Sequence, residues 1–363
     1  MPQTIVKARK LRKEFEISQS FMQSLRKKPK LKVKAVDGID FDIYERKSMG
    51  LVGESGCGKT TVGKLVMKLL DATSGELYVK GQDVTKLNDK RGIKAYRRMA
   101  QMIYQDPFSS LDPRFKVYDI LEEPLLIHKI GDTMDERRAL IEKALEDVRL
   151  TPPDEFIDRY PHMLSGGQRQ RVAIARCLIL NPDFIVADEP VSMLDVSVRA
   201  ELLNLMKDLI EIQDLTFLYI THDISTTRFF TDYIGVMYLG DIVEQGPVAQ
   251  VLDNPIHPYT QALLTAVPEP EPDRLDRVKE IPIKGEIPSG TNVPQGCRFH
   301  TRCPYTKDIC KKTPPSNKEP LEKGHKAKCH FAGDIEYKLR VIKLGEGGKA
   351  EKVEEIKPED ISY

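Results

Sequence analysis

The spacing of apolar residues changes several times along the chain, and each change marks an element. From about Thr4 to Ile43, short apolar–polar alternations predict antiparallel strands. A basic run, Arg26-Lys27-Lys28-Pro29-Lys30, interrupts them and fits a solvated inserted loop better than a nucleic-acid site. Ser48 to Leu70 predicts a strand, a glycine-rich turn and a helix. In that helix Val62, Leu65, Val66, Leu69 and Leu70 share one face. Helical signals dominate from about Arg91 to Arg171, punctuated by Pro124, Pro152, Pro153 and Pro161. Two continuous apolar runs, Phe184 to Ala187 and Phe217 to Ile220, have the length of buried parallel strands, and Val196 to Ile212 between them predicts a helix. The β-then-α alternation predicts an α/β core with a mixed, mainly parallel sheet.

Composition shifts near Asn254. The stretch that follows is rich in proline and holds four of the six cysteines, and beyond Phe331 the chain is rich in Lys and Glu. The expected organisation is a unit over 1–254 with a helical subdomain at about 92–172, a cysteine-rich extension over 255–335, and a charged tail over 336–363. Lys plus Arg total 56 and Asp plus Glu 55, so no global field draws the chain to nucleic acid. The N-terminus lacks the apolar stretch of a signal peptide, and no run reaches the roughly 18 apolar residues of a membrane span. The expectation is a cytosolic protein, or one held at the cytosolic face of a membrane, with its cysteines free or bound to metal.

The strongest chemical signal is Gly53-Glu54-Ser55-Gly56-Cys57-Gly58-Lys59-Thr60, which fits G-x-x-x-x-G-K-S/T, with Thr61 after it. Its glycines let backbone N–H groups turn inward around phosphate oxygens, and the following helix adds the positive end of its dipole. Lys59 is expected on the β- and γ-phosphates of a bound nucleotide and the Thr60 hydroxyl on Mg²⁺. Cys57 is read as a small residue that fits, without a catalytic role. At the end of the Phe184 strand, Asp188 is placed to hold Mg²⁺ and Glu189 to activate water. An acidic pair in a surface turn would not usually cap a wholly apolar strand.

These parts alone leave kinases, GTPases and many ATPases open. The run Leu164-Ser165-Gly166-Gly167-Gln168-Arg169-Gln170-Arg171 narrows them, because it resembles the signature of ABC ATPases. Ser165, Gly166 and Gly167 open a predicted helix toward Leu180, so their N–H and hydroxyl groups can face an anion. The resemblance implies that this anion is the γ-phosphate of ATP on an opposing subunit, hence head-to-tail dimers with two ATPs between them. It further implies that Gln105 is the Q-loop residue that senses Mg²⁺ and couples to the membrane subunit. Asp195, in Ser192-Met193-Leu194-Asp195, is similar to the D-loop residue, and His222 to the switch histidine on the γ-phosphate. Phe15 and Phe21 are candidates for the aromatic that stacks on adenine.

Tyr160-Pro161-His162, together with Asn254-Pro255-Ile256-His257-Pro258-Tyr259-Thr260, resembles the oligopeptide/dipeptide importer branch. Gln105 through Arg114 resembles its F-type ATPase subunit. Such a subunit implies a homologous D-type ATPase partner, although a homodimer stays open. It also implies two transmembrane permeases, an extracytoplasmic solute-binding protein reached indirectly, and a peripheral place on the cytoplasmic membrane face. Cys297, Cys303, Cys310 and Cys329 suit either tetrahedral Zn²⁺ or an iron–sulfur cluster. The resemblance implies a 4Fe–4S cluster, and Zn²⁺ is the alternative. Peptide is the expected cargo, with oligosaccharide or nickel as the alternatives in the same branch. The rival classes are a soluble ABC ATPase acting on DNA or ribosomes, and an electron-transfer module built on the cysteines. A DNA-repair member would place a long coiled coil between P-loop and signature, and this chain has no heptads there.

Overall fold

The computed structural model describes residues 3–17, 31–267, 277–280, 283–335, 339–344 and 350–356. Phe21 and the basic run at 26–30 lie outside them.

Seven strands form the central sheet: β3 (Ser48–Val52), β6 (Ala100–Ile103), β7 (Phe184–Asp188), β8 (Thr216–Thr221), β9 (Tyr233–Tyr238), β10 (Asp241–Pro247) and β12 (Lys326–Ala327). Their order is β12-β10-β9-β3-β8-β7-β6. The stretch from β9 to β6 is parallel throughout, and β10 and β12 add an antiparallel edge. Every residue of β3, β7 and β8 is buried, as expected of parallel strands covered on both faces. The predicted parallel pair is observed directly, with Phe184 opposite Thr216 and Asp188 opposite Ile220.

The expected N-terminal antiparallel region is a second sheet. In it β1 (Thr4–Glu16) pairs with β2 (Lys32–Tyr44) and with β4 (Ser74–Val79), and β5 (Gln82–Asp83) closes the edge. Helix α1 (Lys59–Val66) packs between the two sheets, where Val62, Leu65 and Val66 join Val6, Leu11, Ile39, Val186 and Ile220 in one core. The helix is shorter than its apolar face predicted. Met67 caps it, Lys68 turns left-handed (φ 51°), and Leu69 is left 40% exposed.

On the other face of the central sheet, α3 (Val117–His128), α4 (Met134–Asp147), α5 (Gly166–Leu178) and α6 (Val196–Gln213) bury a second core against β7 and β8. The helix α2 (Lys90–Met99) leads straight into β6, so residues 100–103, expected inside a helical subdomain, belong to the central sheet. The C-terminal segment is not wholly a charged tail. Leu339–Leu344 (β13) and Ala350–Ile356 (β14) pair with each other, and β13 pairs with Arg277–Glu280 (β11) in a three-stranded antiparallel sheet. No helix among the described residues is long and apolar enough to cross a membrane.

Candidate functional site

The loop over 53–58 leaves the C-terminal end of β3 and enters α1, so its amides face the mouth of the parallel sheet, where open α/β sheets bind ligands. Two glycines are required here by geometry. Gly58 caps α1 at φ +113°, and a Cβ on it would sit 2.1 Å from the Ala35 carbonyl oxygen. Gly53 lies at φ +154°, and a Cβ there would meet the Met237 carbonyl oxygen at 2.1 Å. Lys59 is 5% exposed, and its Nζ donates to the carbonyls of Gly53 at 2.7 Å and Glu54 at 3.1 Å. Burial pushes the Cys57 thiol pKa up, which keeps it protonated and fits its reading as a space-filling residue.

Adjacent strands supply the acidic groups. The Thr60 hydroxyl donates to Asp188 Oδ1 at 3.1 Å. Asp188 is 4% exposed, and burial, with Glu189 beside it, raises its carboxyl pKa above the ordinary value. A buried carboxylate with a hydroxyl at its oxygen and, among the described residues, no cationic partner in hydrogen-bond contact is a fitting place for a divalent cation. Glu189 follows with a left-handed backbone (φ 48°), a conformation that costs a non-glycine residue free energy and clusters at functional sites. Its N–H is held by the Ile220 carbonyl at 2.8 Å. Its Oε2 lies 2.9 Å from His222 Nδ1 and accepts from Gln105 Nε2 at 3.1 Å. Four chain segments thus meet in one cleft of about 510 Å³, lined by Ser55, Gly56, Cys57, Gly58, Lys59, Thr60, Thr61, Gln105, Glu189 and His222.

The signature residues lie apart from this cleft. Ser165 is the exposed N-cap of α5; its hydroxyl accepts from Gln168 N–H at 3.2 Å, and Gln168 Oε1 accepts from Ser165 N–H at 3.0 Å. A Cβ on Gly167 would meet Val198 Cγ1 at 2.6 Å, so the glycine lets α5 approach α6. Asp195 caps α6 by accepting from Val198 N–H at 3.1 Å, and nearby Met193 is 57% exposed. Neither Ser165, Gly166, Gly167, Gln168 nor Asp195 lines the cleft.

Phe15 does not line it either; the ring is 38% exposed under the Lys13 ammonium. The wall beyond the loop is built from Val33, Ala35, Leu239 and Gly290. Gly290 comes from the extension, which the sequence reading did not bring to this site. Glu54 turns out of the cleft to meet Arg302 and Tyr259, two further residues that reading missed. An arginine beside a cysteine in a proline-rich segment carries no signal for a partner so distant in sequence.

The four extension cysteines are free thiols; Cys310 and Cys329 are buried, and Cys297 and Cys303 half-buried. Burial, reinforced by the neighbouring thiols, pushes Cys297 up to about 12 and Cys329 up to about 11. Among the described residues, no three His, Cys, Asp or Glu side chains converge as the ligands of a single metal ion.

Comparison with known proteins identifies the chain. Residues 36–192 match the family described as ABC transporter, and residues 243–310 the oligopeptide/dipeptide transporter C-terminal region. The chain is 46% identical to the oligopeptide transport ATP-binding protein AppF of Bacillus subtilis, over 91% of this chain and 98% of the relative. It is 45% identical to the dipeptide transport ATP-binding protein DppF of Escherichia coli, over 88% and 92%. Among solved structures it is similar to the dimeric ATP-binding cassette MJ0796 in a post-hydrolysis state with ADP and Pi, at a TM-score of 0.58 and 28% identity, covering 67% of this chain and 98% of that one. With relatives matched over nearly their whole length and the cassette fold in place, the chain belongs to the ATP-binding ATPase subunits of the oligopeptide/dipeptide type of ABC transporter.

Proposed function

We propose that this chain hydrolyses ATP in the cleft at residues 53–60 and uses the energy to drive peptide import. The observation that carries the reading is the separation of two half-sites. Lys59, Thr60, Gln105, Glu189 and His222 line one cleft, with Asp188 hydrogen-bonded to Thr60, while the exposed Ser165 and the signature residues after it lie outside that cleft. A second ATPase subunit facing head-to-tail would bring its signature helix to this cleft and receive this chain's helix at its own. The loop amides and Lys59 hold the phosphates. Thr60, Asp188 and Gln105 would hold Mg²⁺, which neutralises charge on the phosphate oxygens. Glu189 takes the proton of the attacking water as its oxygen bonds to the γ-phosphorus and the bond to the β-phosphate breaks. His222 and Gln105, both at Glu189 Oε2, orient that carboxylate.

The partner is a homologous D-type ATPase subunit, and the pair docks on two permeases at the cytoplasmic membrane face, fed by a solute-binding protein. Peptide cargo is supported by the C-terminal region match and by the relatives' roles. The ATPase unit occupies 1–254 and the extension 255–335. Cys297, Cys303, Cys310 and Cys329 would hold a 4Fe–4S cluster there. In support, each of Cys297, Cys303 and Cys329 feels the charge of other members of the set, so the four share one neighbourhood. The cationic irons of a cluster would stabilise thiolates that burial alone keeps protonated.

Reconstitution with the D-type partner and permeases in proteoliposomes tests the function. Uptake of labelled peptide that needs ATP and the binding protein supports it. Uptake of oligosaccharide or nickel alone would move the cargo, and ATP hydrolysis without any uptake would overturn the transport role. About four irons and four sulfides per chain, after purification without oxygen, would support the cluster; one zinc and no sulfide would replace it.

A further inference from the structure

We propose that Arg302 and Tyr259, both from the extension, are positioning residues for the ATP phosphate loop and act on it through Glu54. The inference rests on the reading of residues 53–60 as the phosphate site. Glu54 has the second position of the loop, yet its carboxylate points away from the cleft. Arg302 Nη1 donates to Glu54 Oε2 at 2.7 Å and Nη2 to Oε1 at 3.0 Å, a two-pronged ion pair with fixed geometry. The same residue is gripped from the backbone, because Glu54 N–H donates to the Tyr259 hydroxyl at 2.9 Å.

Neither grip is a loose surface contact. Arg302 is 7% exposed and Tyr259 fully buried. Burial works against the Arg302 charge, but the Glu54 carboxylate and the Tyr238 hydroxyl outweigh it, and the guanidinium stays firmly protonated. The guanidinium lies over the Tyr238 ring, which packs at 4.7 Å from Tyr259 and 5.3 Å from Phe299. Phe299 stands between Cys297 and Cys303 in the chain, as does Arg298, whose guanidinium binds Asp37 and the carbonyl of Leu239 on the cleft wall.

The route to the nucleotide is short. Lys59 Nζ is held by the carbonyls of Gly53 and Glu54; the first shares a peptide unit with the Glu54 N–H that Tyr259 grips, and the second is Glu54's own. Fixing Glu54 at its carboxylate and at its N–H therefore fixes the lysine that meets the phosphates. The cysteine-bearing loop of the extension is thereby part of the ATP site's support.

Binding of MgATP to the full-length chain, with KM and kcat measured in the assembled transporter, tests this. Arg302→Met should weaken ATP binding and raise KM by about tenfold, the scale of one charge-assisted hydrogen-bond pair, with kcat at saturating ATP changed less than about twofold. Arg302→Lys, which keeps the charge without the fork, should recover part of the loss. Glu54→Gln should show a similar defect, and Glu54→Gln with Arg302→Met should be no worse than Arg302→Met alone. Unchanged affinity in folded Arg302→Met, or a double variant with the product of both losses, would overturn the proposal. If Arg302→Met does not fold, Tyr259→Phe removes only the hydroxyl. It should weaken binding by about threefold, and unaltered affinity would again overturn the idea. Lys59→Ala is the separate control: normal ATP binding by that variant would remove the phosphate-site reading itself.

Discussion

Acidification should loosen the segment that carries Tyr259, and His257 sets the size of the effect. His257 is 1% exposed, and burial drives its imidazole pKa from the ordinary 6.5 down to about 3. Its Nδ1 accepts the Tyr259 N–H at 3.0 Å, capping the helix Pro258–Thr265, and that bond requires an unprotonated Nδ1. In the unfolded segment the ring is free to titrate near 6.5. Proton uptake therefore favours the unfolded form first, and stability falls as pH falls. The contribution is complete above about pH 6.5, declines by about 1.4 kcal/mol per unit below it, and levels off only near pH 3. At pH 5 the loss comes to about 2 kcal/mol. The assay is urea denaturation from pH 8 to pH 5, followed by circular dichroism, on the wild type and His257→Asn. Asparagine keeps a capping oxygen but has no titrating ring, so the variant starts less stable at pH 8 and falls less steeply. Carboxylates that titrate in both proteins cancel in the difference. Parallel curves would refute the reasoning.

Other consequences are checked more directly. Glu189→Gln should lower kcat by about 10²- to 10⁴-fold while MgATP is still retained in a binding assay, because the variant loses the proton acceptor but no phosphate contact. Gly58→Ala places a methyl 2.1 Å from the Ala35 carbonyl at φ +113°, so MgATP binding measured by calorimetry should be lost. Gly167→Ala drives a Cβ to 2.6 Å from Val198 and should displace the signature helix; steady-state hydrolysis by the paired subunits should fall far more than ATP binding by the single chain.

The parts of the site that could be read in advance are those whose chemistry is local. Gly53 to Thr60 announces itself because the backbone needs those glycines, and Phe184 to Asp188 because a fully apolar strand ending in an acid is seldom a turn. His222 and Gln105 were placed by family resemblance, and their meeting at one oxygen of Glu189 is a tertiary fact. What stayed hidden depends on pairing across long stretches of chain. Arg302 carries no mark of its partner at Glu54, and two-residue β12 is too short to leave a period. Leu69 misled for a different reason: its spacing continues the helical face after a left-handed Lys68 has already ended the helix. Strand β14 is mostly Glu and Lys, and the charge around it masked the short apolar run Leu339–Leu344 of β13, so composition there reads as tail where the backbone pairs as sheet.

The pairing of β10 with Lys326–Ala327 bears on how the protein can be cut. Glu244, on β10, is 1% exposed and accepts from the N–H groups of Ile256 and His257 at 2.8 and 2.9 Å, with His325 Nε2 2.7 Å away. A fragment ending near Asn254 would strip that carboxylate of all three neighbours and leave the outer rim of β10 open to strands of other molecules. A stable ATPase fragment should therefore extend beyond the cassette through at least Lys328, whose N–H closes onto the Val243 carbonyl at 2.7 Å.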